Sequence, residues 1–396
     1  MSSTLPDQLF SLATVKYLGY DDEAASQIWN KWTAQAPGVD PVPECIPLGP
    51  FELTFMDYVV GCSYGHRYDP DLNAHDDDDA KWYECMDRCG INKDTRDAIM
   101  DPVFRHTRLT ESCIFWIRNT IEFRYEALKS SIQEASREME QASPEDSTSQ
   151  GTSRGGIGAR SDSETIRMTP WVSQDTAMSE AALCATNAPG SLTLYRGMER
   201  SRLTTLFDSN GNLDNIRALS SRPPTDFDGR GSSYCFVVDR DVAIEYAAFT
   251  KRRSDRSTVV IVHATFENST IEGLSEDKFQ RIYWPSEEWK RLIFFSRSMK
   301  RLPSDLGKFN QASLIIGTLS ARPSLAYVKM KCYTEITEDM VSKNAARRDA
   351  VQYAFLGDEG EELFEKAELK VFPITPDEFS QWHKKAQEEM ESRGCL

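Results

Sequence analysis

Three segments carry residue types that could do chemistry. The first is Leu192-Thr193-Leu194-Tyr195-Arg196-Gly197, an apolar strand-like run that ends in an arginine and a glycine. A guanidinium at a strand end offers a planar fork for phosphate or ribose oxygens. The glycine beside it leaves room for a ligand to approach the backbone. The second begins with the turn Asp226-Phe227-Asp228-Gly229-Arg230-Gly231, continues through Ser232-Ser233-Tyr234-Cys235-Phe236-Val237-Val238 and ends in the stretch 239–247. It reads as a glycine-bearing turn, a strand with Ser and Tyr, and a helix packing through Val242, Ala243, Tyr246 and Ala247. The third is the strand-like Ala350–Phe355, with Gln352 in it, followed by the helical stretch Asp358–Lys366.

Other reactive residues read as structural. His263 lies on an apolar strand and is expected to be a satisfied core histidine rather than a base. Asp226 and Asp228 are expected to cap or shape their turn. Trp284 and Trp289 read as packing residues. There is no Gly-x-Ser-x-Gly elbow for a serine hydrolase. Cys85 and Cys89, four apart, lack the second pair a zinc site needs and read as ordinary, partly buried thiols; no metal is expected. The run His75–Asp79, with four consecutive aspartates, reads as a solvated loop without the spaced ligands of a calcium loop. Gly155-Gly156-Ile157-Gly158 has neither a preceding strand nor a following helix, so it is a poor phosphate loop.

The elements that must position these residues divide the chain. Residues 1–142 read as a mainly helical N-terminal domain. Asp21-Asp22 are placed to cap an amphipathic helix that includes Glu23–Trp32, and Pro37–Pro50 breaks it. Over Thr110–Ala142 the residues Ile114, Ile117, Ile121, Tyr125, Leu128 and Ile132 form one helical stripe, which is expected to pack into a core rather than dimerise. Residues 143–168 are rich in Ser, Gly, Thr and charge and read as a flexible linker. Residues 169–375 alternate short strands and helices irregularly, as in an α+β fold. Strands are expected at 192–196, 233–238, 258–264, 313–317, 326–331, 350–355 and 369–372, with helices at 240–249 and 286–296. A charged helix closes the chain over 376–396.

At 396 residues the chain can hold two cores. Its net charge of -16 argues against nucleic acid or an anionic membrane as partner. No signal sequence is visible, and apolar runs such as Leu314-Ile315-Ile316 are too short to span a bilayer. Nine cysteines, an odd count without a secretion signal, point to reduced thiols. The expectation is a soluble protein of the cytoplasm or nucleus.

Taken in order, the three segments resemble the ADP-ribosyltransferase superfamily, over less than half of the chain (roughly Leu192 to Pro373). The likeness is to a branch with a strand ending Tyr-His-Gly or Tyr-Arg-Gly, an Asp-Phe-Gly-x-Gly turn, a Tyr-bearing strand and an alanine-rich helix. Trp289–Arg297, Leu314–Ser320 and Val351–Phe355 with Glu361-Glu362-Leu363 resemble its later segments. The helical N-terminal half resembles proteins of filamentous fungi, which adds no activity.

The resemblance implies an ADP-ribosyltransferase-like split β-sheet domain behind the helical region, with NAD as co-substrate. It implies that Arg196, next to Gly197, holds ribose or phosphate. It implies that Tyr234, braced by Ser232 and Ser233, packs on nicotinamide, and that Gln352 grips the ribose hydroxyls. Gln352 and Tyr234 are then the catalytic pair. Nicotinamide would leave through an oxocarbenium-like state that a nearby carboxylate stabilises. The acceptor, protein or small molecule, is not specified. The chain departs from the active pattern because Gln352 is neutral; if it is the glutamine of a Gln-x-Glu motif, the acid position is Ala354. Glu335, Glu287 and Glu288 are the acids considered as replacements. A catalytically degenerate module that binds NAD, ADP-ribose or a protein is the alternative, and an interaction protein built on the N-terminal helices is a third reading.

Overall fold

In the computed structural model the described residues are 5–35, 43–48, 50–63, 72–142, 190–254 and 258–392. The expected linker, the Gly155–Gly158 run, half of Pro37–Pro50, residues 169–189 and the last four residues lie outside them. Among the described residues no helix is long and apolar enough to cross a membrane.

Helices at Leu12–Leu18, Asp22–Thr33, Phe55–Cys62, Asp79–Arg88, Lys93–Ile99 and Cys113–Ala142 build the N-terminal half. Each short one starts where a side-chain oxygen meets a free N–H, as with Asp21 and Ala24 N at 2.8 Å, or Asn92 and Thr95 N at 2.9 Å. A small hairpin pairs β1 (Cys45–Leu48) with β2 (Phe51–Thr54). The stripe Ile114, Ile117, Ile121, Tyr125 and Leu128 is buried as expected, whereas Glu134–Arg137 is exposed. The aspartate run does more than face solvent. Asp76 pairs with Lys81 at 2.6 Å, Asp77 takes Arg105 through two oxygens at 2.9 and 2.5 Å, Asp78 caps a helix and Asp79 meets the buried Arg108 at 2.6 Å. Cys85, Cys89 and Cys113 are fully buried, and burial and neighbouring thiols raise the pKa of Cys89 and Cys113.

The C-terminal half is a mixed seven-stranded sheet in the order β6-β7-β8-β4-β3-β5-β9. Its strands are β3 (Ser191–Glu199), β4 (Ser233–Val237), β5 (Val259–Glu267), β6 (Phe279–Ile282), β7 (Leu314–Thr318), β8 (Val351–Leu356) and β9 (Glu368–Pro373). β6 and β7 are parallel; the other neighbours are antiparallel. β3 and β4 touch through one residue pair only, Tyr195 with Val237, whereas β3 runs beside β5 for its whole length. The sheet therefore parts between β3 and β4.

Two sequence expectations fail here. Residues 326–331 form no strand: 326–329 belong to the helix Ser324–Lys329, which starts after Pro323 and buries Tyr327. Six residues are too few for periodicity to separate strand from helix. β6 was not expected: it is an edge strand with Gln280 and Arg281 at its centre, so it lacks an apolar run.

The helix Arg240–Arg253 packs across β3 and β5 and also enters the N-terminal core. Phe249 lies against Phe104 (5.1 Å between centroids) and Trp116 (4.9 Å), and Trp382 of the closing helix Pro376–Ser392 stacks on Phe104 at 5.5 Å. Arg252 and His383 share Asp101, at 2.7 and 3.0 Å. Through this helix the N-terminal half is fixed against the sheet, and a cleft lies between them.

Candidate functional site

The cleft has a volume of about 630 Å³, within the range of small-molecule sites. One wall is the sheet around the β3/β4 parting, with Arg196, Gly197, Cys235 and Gln352. The other is the long helix Cys113–Ala142 and the segment before it, with Glu111, Trp116, Asn119 and Glu122.

Arg196 on β3 donates from Nη1 to the Leu219 carbonyl at 2.5 Å and lies over the Phe236 ring at 5.8 Å. Burial, then the charge of Arg202, pulls its pKa down to about 10. Among the described residues no carboxylate pairs with it. A guanidinium so placed at a cavity wall can take an anion.

Gln352 on β8 is 3% exposed, and its Nε2 donates to Asp226 Oδ2 at 2.5 Å. Asp226 also accepts from Ser320 N and Ser320 Oγ, both at 2.8 Å, and faces Arg297 Nε at 3.5 Å. Arg297 donates to the carbonyls of Pro224 (3.2 Å) and Arg322 (2.7 Å) and lies 3.8 Å from Glu111. Burial opposes its charge, but Asp226 and Glu111 outweigh that and raise its pKa. Asp226 thus departs from the expected turn role. That role falls to Asp228, whose Oδ1 accepts from Arg230 N at 2.8 Å and Gly231 N at 2.7 Å. Gly317, paired with Gln352 across β7 and β8, lets the turn press onto the sheet: a Cβ there would come 2.7 Å from Phe227 Cζ.

The remaining expected residues go elsewhere. Tyr234 does not share the cleft with Gln352. Strand residues alternate faces, and Tyr234 pairs with Phe355, one step out of phase with Gln352 and its partner Val237. Its ring stacks on Phe364 at 5.3 Å in the core of the opposite face, and its hydroxyl donates to Glu361 Oε2 at 2.7 Å. Burial and that carboxylate push its pKa up. Ser232 is exposed; Ser233 is buried against Thr225 and Cys235, both at 3.4 Å. Gly197 serves packing: a Cβ there would overlap the Ala243 carbonyl oxygen of the helix behind it.

The three glutamates considered as charge donors are all engaged away from the cleft. Glu335 accepts from Lys331 N and Cys332 N, Glu287 from the Tyr333 hydroxyl, and Glu288 pairs with Lys308. Ala354 is buried with Ile315 and Leu356. His263 is buried but not satisfied: neither ring nitrogen has a partner among the described residues, and the ring sits between Tyr195 (4.8 Å) and Phe372 (4.4 Å). Trp289 is packed, its Nε1 donating to Thr318 O at 3.0 Å, with Trp284 edge-on to it.

The acids that do line the cleft are Asp226, read from the sequence as a turn residue, and Glu111, Glu122, Glu126 and Glu199, which sequence reasoning passed over. Glu199 closes β3, is 2% exposed and accepts from Ser201. Burial, the largest influence, raises its pKa to about 7. Burial also raises that of Glu111. Two perturbed acids in one cleft make it a candidate functional site. The chain matches no known protein family, curated protein or solved structure in these comparisons.

Proposed function

We propose that the chain is an ADP-ribosyltransferase-like protein whose cleft takes NAD as co-substrate and breaks its nicotinamide–ribose bond. The electron pair of that bond leaves with nicotinamide, and water or an acceptor hydroxyl or amine adds to the ribose carbon and loses a proton. The observation that carries this reading is the meeting of Arg196 and Gln352 in one cleft, with the Asp226 carboxylate hydrogen-bonded to Gln352. Arg196 holds phosphate or ribose oxygens. Gln352 orients a ribose hydroxyl, and Asp226 supplies the negative charge that a glutamine lacks. The sheet parting between β3 and β4 supports the expected split sheet. The buried, uncompensated guanidinium of Arg196 fits the pyrophosphate of such a co-substrate.

One observation favours a second reading, binding without turnover: Asp226 already faces Arg297 and accepts three hydrogen bonds, which reduces what its charge offers a developing cation. Purified protein incubated with NAD, alone and with cell extract, separates the readings. Nicotinamide release that falls in Asp226→Asn supports the first. Calorimetric binding without release supports the second. Neither binding nor release removes both.

A further inference from the structure

Among the arginines that line the cleft, Arg253 is one that the NAD reading leaves unused. Arg253 ends the helix Arg240–Arg253 and is 1% exposed. It lies over the rings of Trp116 and Phe249, 4.5 and 4.4 Å from their centroids. Its Nη1 donates to Asn119 Oδ1 at 2.9 Å and Thr120 Oγ1 at 3.0 Å, and its Nε has no partner among the described residues. Burial, then the charge of Arg124, lowers its pKa to about 9, and among the described residues no carboxylate counters them. The helix C-terminus and the two rings offset part of the desolvation cost, but a buried cation held by neutral groups alone remains an anion-seeking group. Arg196 is in the same condition and lines the same cavity. Three of the acids nearby have other cations: Glu122 faces Arg118, and Asp226 and Glu111 face Arg297.

We infer that the cleft is built for a ligand with two separated anionic groups, the second seated on Arg253. Resting on the NAD reading, this makes the preferred ligand a dinucleotide with an additional phosphate on its adenosine ribose. The N-terminal helices then belong to the binding site, because Trp116, Asn119 and Thr120 hold Arg253 in place.

The test is calorimetry on the full chain with NAD and with its 2′-phosphorylated form, NADP. Wild type is expected to bind NADP at least about tenfold more tightly, the size of one charge-assisted hydrogen bond. In Arg253→Met, an apolar replacement of similar length, that preference vanishes while NAD affinity holds. Should Arg253→Met fail to fold, Arg253→Lys keeps the charge on a shorter reach and is expected to lose most of the preference. Equal affinity of wild type for both dinucleotides overturns the inference and leaves the NAD reading standing. A lowered midpoint with both affinities shifted alike makes Arg253 a structural residue and also overturns it. Binding of neither dinucleotide removes the inference and the NAD reading together.

Discussion

Replacing Asp226 by asparagine removes one negative charge from the floor of the cleft while keeping the shape of the side chain. Asp226 is 5% exposed and Arg297 8%, so solvent screens their 3.5 Å contact only weakly. One carboxylate oxygen accepts from Gln352 Nε2 and Ser320 N, the other from Ser320 Oγ while facing Arg297. An asparagine amide has one acceptor, so its NH₂ must meet either the Gln352 and Ser320 donors or the guanidinium. Breaking a buried ion pair by removing one partner costs roughly 3–5 kcal/mol. Arg297 keeps two carbonyl acceptors and Glu111 at 3.8 Å, which puts the expected loss at the lower end, about 3 kcal/mol. That corresponds to a fall of roughly 6–12 °C in the thermal midpoint for a unit of this size. Thermal and urea unfolding of wild type, Asp226→Asn, Arg297→Met and the double variant measure it. The double variant should recover about 2 kcal/mol or more of the summed losses, because the orphaned charge is gone. Nicotinamide release in Asp226→Asn should drop about a hundredfold, equivalent to some 3 kcal/mol of lost charge stabilisation. Strictly additive losses, or a midpoint shift under about 2 °C, would show that Asp226 neither holds Arg297 nor carries the local charge, and the chemistry assigned to it would go too.

Glu199 holds its proton to about pH 7 when folded, against 4.5 ordinarily. Between those values the folded chain binds more protons than the unfolded one, so stability is full below about pH 4.5 and declines as pH rises toward 7, by an amount of order 3 kcal/mol. Glu199→Gln should flatten that slope in urea midpoints taken from pH 4.5 to 8. His263 works in the opposite sense: burial, then Arg240 and Lys370, lower its pKa to about 4, so its stabilising effect is present above pH 6.5 and lost as pH falls toward 4. His263→Phe, which removes two unpartnered ring nitrogens, should make the protein more resistant to urea at pH 5 than wild type; greater sensitivity would mean that the nitrogens have partners after all. Gly197→Ala pushes a methyl into the helix backbone behind β3 and should cost about 2 kcal/mol or more, visible as a lowered thermal midpoint; an unchanged midpoint would contradict the tight strand–helix approach.

Much of the local structure was legible along the chain because its causes are local. The stripe from Ile114 to Leu128, the Asp21 cap and the strands at 192–196, 258–264 and 350–355 follow from periodicity and from side chains that satisfy nearby backbone groups. The apolar 326–331 stretch and polar β6 were misread because each is shorter than the pattern needed to identify it. Arg196 and Gln352, marked as site residues by the segments in which they sit, both line one cavity.

What the chain order could not reveal is which strand face each side chain takes and what lies opposite it. Tyr234 and Gln352 point to opposite faces because adjacent strands in register pair Tyr234 with Phe355, and a one-residue difference in phase reverses a side chain. Asp226 looked like a turn residue beside Asp228; only the seating of Phe227 against Gly317 turns it toward Gln352 and Ser320, which are 126 and 94 residues away. Local propensity acts over a few residues and is written in the sequence. Pairing of charges across a cleft depends on register and packing summed over the whole fold, so the partners of Asp226, Arg297 and Arg253 exist as a site only once the helices and the sheet have closed on one another.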